Sequence, residues 1–378
     1  RERGITIEAA FRGFETDSRR FNVIDAPGHK DFIRNMISGA AIADVAVLVI
    51  DAVRTFNQGA APQTREHLVL LNAFGIRHLI VAVSKLDLVN FDKETFDYCQ
   101  LVVDDFMASI SYKPDSKTQF IPISALEGDN IVKHSERTSW YDGPTLFEAL
   151  DSIPPAKRAT DLPLRMPILR VFSIPGVGSV ASGKIETGTV RPGDSVTVAP
   201  YPGTEQTRAE VRSIEWQHQK VEVAVAGDDV GILLAKQERG FMPRLVKKGA
   251  VLGSSGDPPE AVKRFKAQLM VVDHPSQIRK GYAPFLHVHQ AAMPCTIEEI
   301  LLITSKSGET KLSGNFSESE DEGVYLVNGD TGIVWIKPQK PLVIEKFERI
   351  PQLGQFALRD GGTVAVGICL EVERLSGD

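Results

Sequence analysis

The chain has 378 residues, a length that corresponds to two or three ordinary domains and excludes a single small module. Hydrophobic residues make up 42% and charged residues 24%, and this balance excludes an intrinsically disordered chain. Lys and Arg total 43 against 49 Asp and Glu, so the net charge of −6 leaves only local basic patches for contact with nucleic acid.

Residues 1–150 alternate short apolar runs with amphipathic segments, which is typical of a mostly parallel sheet with helices on its faces. The runs that predict strands are 21–24, 45–50, 79–83 and 120–123. Each run is almost entirely apolar, so we expect these strands to be buried on both faces. Residues 63–75 have helical spacing and end at Gly75, which predicts a helix between the second and third strands.

The pattern changes near residue 160, where short β-rich runs broken by Gly and Pro replace the helical spacing. Strands are predicted at 168–172 and 180–186, at intervals typical of β-barrels. A second break falls at residues 254–259, which read Ser-Ser-Gly-Asp-Pro-Pro. The chain is therefore predicted to form three domains, which are an α/β domain over 1–158 and two antiparallel β-barrels over 161–256 and 260–378.

The three cysteines, Cys99, Cys295 and Cys369, are far apart and lack the spacing of metal ligands. Their pattern predicts a reducing compartment, with the cytoplasm as the expected location and no disulfide framework or zinc site. No apolar run approaches membrane-spanning length, so we expect no membrane partner. The opening Arg-Glu-Arg-Gly resembles neither a signal peptide nor a natural start, and we expect the chain to begin within a domain.

The first polar motif, Asp-Ala-Pro-Gly-His at residues 25–29, directly follows an apolar run. Ligands of open α/β sheets collect at the carboxyl edge of the strands, where this motif is expected to lie. Asp25 can reach a Mg²⁺ ion through water, and the bare N–H of Gly28 can meet a γ-phosphate oxygen. The motif by itself is a weak signal, since many loops contain an Asp followed three residues later by Gly.

Two further motifs follow the third and fourth predicted strands. In Ser84-Lys85-Leu86-Asp87, the Asp carboxylate can accept two hydrogen bonds from a guanine, while the Lys stem lies over the sugar and base. Ser124-Ala125-Leu126 is suited to present backbone N–H groups to the guanine carbonyl oxygen. Three motifs in this order, each at the end of a buried strand, form a strong joint signal.

The arrangement resembles the G domain of GTPases, and the run Arg3-Gly4-Ile5-Thr6-Ile7 resembles the end of switch I in translational GTPases. Together with residues 25–32, it is similar to the elongation factor 1-alpha and EF-Tu superfamily. The resemblance implies a ribosome-stimulated GTP hydrolase that uses GTP, GDP and Mg²⁺, with His29 orienting the attacking water. The residues that it assigns to GTP and Mg²⁺ are Thr6, Asp25, Gly28, Ser84, Lys85, Asp87, Ser124, Ala125 and Leu126, of which Thr6 binds the metal directly and Asp25 through water.

Two departures from the family pattern concern GTP. No G-x-x-x-x-G-K-[ST] run occurs, so the P-loop that cradles the β-phosphate is missing from these residues. Because the chain already opens in switch I, we expect a P-loop NTPase fold that is incomplete at its N-terminus. Ser84 replaces the usual Asn, and its hydroxyl can keep one of the amide's hydrogen bonds, so guanine selectivity is expected to depend mainly on Asp87.

The resemblance covers the whole chain, and it implies that the first two domains hold a cargo. Glu215 matches the residue that stacks on the terminal adenine of tRNA, and Arg34-Asn35 match the pair beside the tRNA 5′ end. Gln217 stands where elongation factors usually have His, and Asp229 replaces the Asn that contacts the aminoacyl ester. Lys248 belongs to a basic cluster that is expected to face the ribosome or a partner, although ordinary solvation explains the cluster equally well.

Several stretches, among them 25–51, 83–91 and 139–143, look most like the Hbs-type ribosome-rescue GTPase. This subfamily implies delivery of a tRNA-shaped, Pelota-like protein to stalled ribosomes and its release on GTP hydrolysis. We expect the protein to be a monomer. The alternatives are an elongation factor 1-alpha-like GTPase that delivers aminoacyl-tRNA, a release-factor-type GTPase, and a GTPase-dead adaptor. A guanine-nucleotide exchange factor is a further expected partner.

Overall fold

The computed structural model describes residues 10–16, 18–26, 37, 40, 43–115, 117–155, 158–203, 205–216, 219–236, 242–305, 309–312 and 324–375. The chain divides into two compact units, Arg1–Pro155 and Ala156–Asp378. The fold predicted from the sequence, an α/β domain followed by two β-barrels, is confirmed. The finer division into three domains, with boundaries at residues 158–161 and 256–260, stays a prediction.

The first unit is built on a parallel sheet in the order β3-β4-β5, beside an antiparallel hairpin of β1 and β2. Its elements are β1 Ala10–Glu15, β2 Arg20–Asp25, β3 Val45–Asp51, α1 Ala52–Gln58, α2 Pro62–Ala73, β4 His78–Ser84, α3 Lys93–Ser109, β5 Gln119–Pro122 and α4 Leu146–Ser152, with short 3₁₀ helices at Leu86–Val89 and Glu136–Thr138. The helix predicted at 63–75 is confirmed as α2. Asp51 caps α1 by accepting from the Arg54 N–H, and Thr145 and Glu148 form a capping box on α4.

Burial on both faces holds for only part of the predicted sheet. Residues 79–84 of β4 are all buried, as expected for a central strand of a parallel sheet. The expectation is wrong for β3, where Val47 and Val49 are 38% and 62% exposed, and for β2, where Val23 is 42% exposed. Within the described residues β3 pairs only with β4, and β2 pairs only with β1, so each has one free edge.

The second unit begins with a sheet in the order β6-β15-β10-β11-β14-β8-β7. Its elements are β6 Arg165–Pro167, β7 Arg170–Ile174, β8 Gly178–Lys184, β9 Thr189–Val190, β10 Ser195–Ala199, β11 Thr207–Trp216, β12 Gln219–Val221, β13 Ala224–Val225, β14 Asp229–Lys236 and β15 Val251–Ser254, with a 3₁₀ turn at Pro243–Leu245. The sheet curls so that β6 returns to β8. The Arg165 N–H donates to the Thr187 carbonyl at 3.0 Å, and the Leu169 N–H donates to the Ser182 carbonyl of β8 at 2.8 Å. The interior is apolar, with Met166, Ile185 and Ile214 fully buried.

A closed barrel of six strands follows, in the order β18-β24-β25-β16-β22-β19 with β19 pairing back to β18. Its elements are β16 Ala261–Val271, β17 Ile278–Arg279, β18 Phe285–Val288, β19 Ala291–Thr304, β20 Thr310–Leu312, β21 Tyr325–Leu326, β22 Thr331–Pro338, β23 Leu342–Val343, α5 Pro351–Gly354, β24 Gln355–Asp360 and β25 Gly362–Arg374. Phe265 and Phe356 pack edge to face at 5.4 Å in its core. None of the described helices combines the length and the apolar character needed to cross a membrane.

Replacement of Gly188 is predicted to destabilise the first barrel strongly. Its φ is +81°, and an added Cβ would lie 2.5 Å from the backbone nitrogen of Leu164. Gly193 provides a matched control, because its φ is +92° but nothing lies within 4 Å of an added Cβ. We expect Gly193→Ala to destabilise the protein by about 1 kcal/mol through backbone strain, and Gly188→Ala by about 3 kcal/mol because overpacking adds to the strain. Equal losses in urea unfolding would contradict the role of the Leu164 contact.

Because of His289, the free energy of unfolding is predicted to fall in mild acid. Its Nε2–H donates to the Val343 carbonyl at 2.9 Å, and its Nδ1 accepts the Gln290 N–H at 2.7 Å, so only the neutral ring satisfies both contacts. Burial lowers the pKa of His289 from 6.5 to about 4, although the Val343 carbonyl opposes this shift. The unfolded chain therefore binds the additional proton first as the pH falls.

Stability should consequently drop by up to about 1.4 kcal/mol per pH unit as the pH falls from about 6.5 towards about 4, and this contribution should level off below that range. Urea unfolding at a series of pH values measures the slope, and a His289→Gln variant should have a shallower one. An unchanged slope in the variant would contradict the assignment.

Candidate functional site

The ends of the parallel strands β4 and β5 bring two of the three sequence-predicted loops of the first unit to one edge of the sheet. Asp51 at the end of β3 is the register partner of Ser84 at the end of β4. The ladder between β4 and β5 continues through a 2.8 Å hydrogen bond from the Ile123 N–H to the Val83 carbonyl. Because parallel strands end together, the Ser84–Asp87 and Ser124–Leu126 loops begin side by side.

The loop after β4 is held in an unusual backbone conformation. Ser84 is buried, and the next residue, Lys85, has a φ of +64°. A 3₁₀ helix then carries Asp87 in its first turn, and the loop closes through Asn90 and Phe91, whose φ angles are +51° and +55°. Left-handed non-glycine residues are uncommon and persist where the surrounding structure enforces them, which is frequent at ligand sites.

Lys85 contacts a carboxylate that the sequence motifs did not indicate. Its Nζ lies 2.8 Å from Oδ2 of Asp51, and the Asp51 side chain also accepts from the Arg54 N–H at 2.9 Å. Burial raises the pKa of Asp51, but these hydrogen bonds and the charge of Lys85 outweigh it and leave the pKa below its usual value. The pair therefore fixes the ammonium end of Lys85 over the edge of the sheet.

The loop after β5 exposes two of the three residues predicted to face the base, Ala125 and Leu126, and buries the third. Ser124 is fully buried, and its carbonyl accepts the Gly128 N–H at 2.8 Å while its hydroxyl accepts the Glu127 N–H at 3.4 Å. This compact turn pushes Ala125 and Leu126 outward, and Leu126 is 90% exposed. An apolar side chain this exposed at the tip of a hydrogen-bonded turn is suited to contact a flat ring.

One loop offers hydrogen-bond acceptors to a ligand, and the other offers hydrogen-bond donors. Within the described part of the chain, no group donates to the Asp87 carboxylate, and the backbone N–H groups of Ala125 and Leu126 have no acceptor. Guanine presents two adjacent donors on one edge and a carbonyl oxygen beside them. The acceptor and donor sets at this edge therefore fit guanine, whereas adenine offers an amino group where the N–H groups need an acceptor.

The motif that the sequence assigns to the phosphates is only partly described. Its predicted place at the carboxyl edge of the parallel sheet stays a prediction, because within the described residues β2 pairs only with β1. Asp25 is exposed at the end of β2 and pairs in register with Ala10. Thr6, Gly28 and His29 lie outside the described residues. In the described ranges no group of three or more His, Cys, Asp or Glu side chains is arranged to hold a metal ion. Mg²⁺ at nucleotide sites takes most of its ligands from phosphates and water, so one carboxylate such as Asp25 fits this type of coordination.

Asn130 is a structural residue of the site that sequence reasoning missed. It is fully buried with a φ of +53°, its Nδ2 donates to the Pro122 carbonyl at 2.8 Å and to Thr138 Oγ1 at 2.9 Å, and its Oδ1 accepts the Ser135 N–H at 2.8 Å. These contacts fasten the 3₁₀ helix Glu136–Thr138 to the end of β5. The only sequence signal was the Gly-Asp-Asn turn, which is common in loops.

The predicted cargo residues that the structure describes lie on the first barrel. Glu215 is exposed and opposite Gly231 in the β11–β14 ladder, while Asp229, two residues away, is the register partner of Lys184. The alternate residues Ile214 and Ile232 are buried, so Glu215 and Asp229 share the outer face. Burial raises the pKa of Asp229 although Lys184 opposes this shift.

Lys248 lies in the same barrel, where partial burial lowers its pKa and the positive charge of Arg170 lowers it further. Its place in a basic surface that faces the ribosome or a partner stays a prediction. Arg34, Asn35 and Gln217 lie outside the described residues. The predicted tRNA-contacting surface is therefore described only at its Glu215 and Asp229 positions.

Comparison with protein families gives one match for each part of the chain. Residues 1–156 match the elongation factor Tu GTP binding domain, residues 178–253 match elongation factor Tu domain 2, and residues 264–370 match the GTP-eEF1A C-terminal domain-like family. The three matches lie in the same order as the α/β unit and the two barrels. They also include every described residue of the candidate site.

Individual relatives match over almost the full chain. Elongation factor 1-alpha of Methanocaldococcus jannaschii is 43% identical over 376 residues, which is 99% of this chain and 84% of that protein. Elongation factor 1-alpha of Pyrococcus furiosus is 42% identical over 380 residues, 99% of this chain and 85% of that protein. Among solved structures, elongation factor SelB of Methanococcus maripaludis with the GTP analogue GPPNHP has a similar fold, with a TM-score of 0.71, 23% identity and coverage of 98% of this chain and 75% of that one.

Proposed function

Because this chain belongs to the elongation factor 1-alpha and EF-Tu superfamily of translational GTPases, we propose that its GTP form delivers aminoacyl-tRNA to the ribosomal A site. The observation that carries this proposal is the 43% identity with an elongation factor 1-alpha over 99% of the chain. The sequence motifs alone favoured delivery of a Pelota-like protein and left delivery of aminoacyl-tRNA as the alternative. The full-length similarity to elongation factors reverses that order.

The base of GTP is proposed to bind between the two described loops. The carboxylate of Asp87 accepts the two adjacent donors of guanine, and the N–H groups of Ala125 and Leu126 donate to its carbonyl oxygen. Leu126 and the stem of Lys85 cover the faces of the nucleoside, while Asp51 holds the Lys85 ammonium. Ser84 supports the start of the loop as a buried residue at the end of β4.

The phosphates and the hydrolysis step are proposed to involve residues carried over from the family motifs. Thr6 would hold Mg²⁺ directly and Asp25 would hold it through water, and the ion would supply positive charge against the phosphates. Gly28 donates its N–H to the γ-phosphate, and His29 orients the attacking water when the ribosome engages. Release of the γ-phosphate frees the loops that contain Thr6 and Gly28, which couples hydrolysis to cargo release.

The cargo surface is proposed to include Glu215 and Asp229 on the outer face of the first barrel, with Arg34, Asn35 and Gln217 as further contacts and Lys248 towards the ribosome or partner. A carboxylate at Asp229 attracts the free α-amino group of an aminoacyl-tRNA but cannot donate to its ester carbonyl. The altered residue is the specific observation that keeps Pelota-like delivery as a second candidate function. We also propose that a guanine-nucleotide exchange factor is a partner and that the protein is located in the cytoplasm.

The deciding experiment uses the full-length protein bound to a non-hydrolysable GTP analogue or to GDP. Aminoacyl-tRNA and a Pelota-like protein compete for it, and hydrolysis of the aminoacyl ester is followed in parallel. We expect protection of the ester with the GTP analogue and none with GDP. Exclusive, GTP-dependent binding of the Pelota-like protein would overturn delivery of aminoacyl-tRNA in favour of the second candidate. Absence of ribosome-stimulated GTP hydrolysis would instead indicate an adaptor without enzyme activity.

Asp229→Asn is predicted to strengthen aminoacyl-tRNA binding by about fivefold, because an amide gains one hydrogen bond to the ester carbonyl, worth about 1 kcal/mol. The measurement is the rate of ester hydrolysis as a function of protein concentration in the GTP state. Glu210→Gln is a matched control that removes one exposed carboxylate from β11. Weaker binding by the Asp229 variant would show that the carboxylate itself contributes to recognition of the cargo.

A further inference from the structure

Arg137 connects the two loops that flank the proposed guanine position. Its Nη2 donates to Asp129 Oδ2 at 2.5 Å, its Nη1 pairs with Glu127 Oε2, and its guanidinium carbon lies 4.6 Å from the centre of the Phe91 ring. Glu127 and Asp129 directly follow the Ser124–Leu126 loop, and Phe91 closes the loop that contains Asp87. One side chain therefore contacts the support of both base-facing loops.

The backbone that carries Arg137 is itself fixed. Ser135 caps the 3₁₀ helix Glu136–Thr138, since its Oγ accepts the Arg137 N–H at 3.2 Å, and the same hydroxyl donates to Asp129 Oδ1 at 2.7 Å. Asn130 binds the Ser135 N–H and the Thr138 hydroxyl from the end of β5. On the other side, the Trp140 indole N–H donates to the Phe91 carbonyl at 3.0 Å. The guanidinium is thus held between a fixed helix and the two loops.

The exposure of these side chains indicates that Arg137 positions the loops without contributing much to folding stability. The side chain of Arg137 is 49% exposed and that of Glu127 is 43% exposed, whereas that of Asp129 is only 10% exposed. Exposed ion pairs contribute little to folding stability, so removal of the guanidinium is not expected to unfold the unit. A planar guanidinium that pairs with two carboxylates and stacks on a ring nevertheless fixes their relative positions, which a lysine ammonium does less well.

We propose that Arg137 is a positioning residue for guanine recognition, which holds the Glu127–Asp129 turn against Phe91 and so sets the distance between the Ala125–Leu126 N–H groups and the Asp87 carboxylate. This inference rests on the proposed binding of GTP at these loops. Loss of the guanidinium lets the two loops separate. The base then loses simultaneous contact with its donors and its acceptor, while the phosphate contacts remain.

The experiment measures binding of GDP and of inosine diphosphate to full-length wild-type protein and to the Arg137→Met variant. Inosine lacks the 2-amino group from which Asp87 is proposed to accept a hydrogen bond. We expect GDP affinity to fall about tenfold, mainly through faster dissociation, and the preference for GDP over inosine diphosphate to shrink by a similar factor. The unfolding temperature should stay within the range of the control variant. Arg137→Lys should recover only part of the preference.

Arg158→Met is the matched control, because Arg158 is a half-exposed arginine that pairs with Asp228 at 3.0 Å in the second unit. Glu127→Gln provides a second, milder test, since it removes one ion pair and keeps Arg137 in place. If the wild-type protein binds GDP, and Arg137→Met and Glu127→Gln both keep its preference for GDP over inosine diphosphate, the inference is overturned and the proposed function stays intact. Failure of the wild-type protein to prefer GDP would overturn the proposed function as well.

Discussion

Asp87→Asn is expected to weaken GDP and GTP binding by about 10²–10⁴-fold and to give measurable binding of xanthine nucleotides. A carboxylate accepts two hydrogen bonds from guanine, and each charge-assisted bond is worth about 1.5–3 kcal/mol. An asparagine amide keeps one acceptor but turns an N–H group towards a guanine donor. Xanthine carries a carbonyl oxygen at that position, so the same N–H group finds an acceptor there.

The measurement is a titration of full-length wild-type and variant protein with GDP and xanthosine diphosphate. Asp105→Asn is the matched control, because it removes one exposed carboxylate from α3 in the same unit. The control should bind both nucleotides as the wild-type protein does. Equal GDP affinity in the Asp87 variant would contradict the placement of guanine at this loop, whatever the variant does with xanthosine diphosphate.

The neighbouring positions of the two loops could be predicted because their sequence signals are local. Ser84 and Ser124 each follow an apolar run, and the rule that parallel strands end at one edge places the two loops together without further information. The structure supports this prediction through the register of β4 and β5. The geometry of the turns was less predictable. Lys85 has a left-handed backbone conformation, which a lysine in the sequence does not indicate.

The partners that hold the site could not be predicted, since they are distant along the chain. Lys85 pairs with Asp51, which lies 34 residues earlier, and Trp140 donates to Phe91, which lies 49 residues earlier. Arg137 reads in the sequence as one more charged residue in a polar loop. Long-range pairing of this kind depends on the packed fold, whereas hydrophobic periodicity reports only the local element.

The sequence also could not predict which face of each strand is buried. The run that forms β3 is as apolar as the run that forms β4, yet Val49 is 62% exposed and Val81 is fully buried. Apolar composition shows that a strand is suited to a buried position, but the neighbours decide which face is covered. β4 lies between β3 and β5, and within the described residues β3 has a partner along only one edge.

Arg165→Met is expected to destabilise the second unit by about 3–5 kcal/mol, because Glu345 Oε1 and the Asp257 carbonyl lose their buried donor while Arg349 reaches only the other oxygen of Glu345. Arg165 is fully buried on β6. Its Nε donates to Glu345 Oε1 at 2.7 Å in the second barrel, and its Nη1 donates to the Asp257 carbonyl at 2.8 Å in the segment between the barrels. Arg349 completes the network by pairing with Asp257 and with Glu345 Oε2.

This network stands beside an apolar contact between the two barrels, in which Ala199 and Val251 of the first pack with Val343, Ile350 and Leu353 of the second. Urea unfolding, followed by circular dichroism, measures the loss. Arg349→Met is the control, because that side chain is 37% exposed and its removal leaves Arg165 to neutralise Glu345. We expect this control to lose about 1 kcal/mol.

The Arg165→Met/Glu345→Leu double variant separates the charge from the packing. If the loss in Arg165→Met arises from the Glu345 oxygen left without its buried donor, removal of that carboxylate should restore a substantial part of the stability, since apolar residues often replace buried ion pairs without loss. If the double variant is instead less stable by the sum of the two single losses, the ion pair contributes no coupling. The barrels would then be joined by the apolar contact and the Asp257 backbone alone.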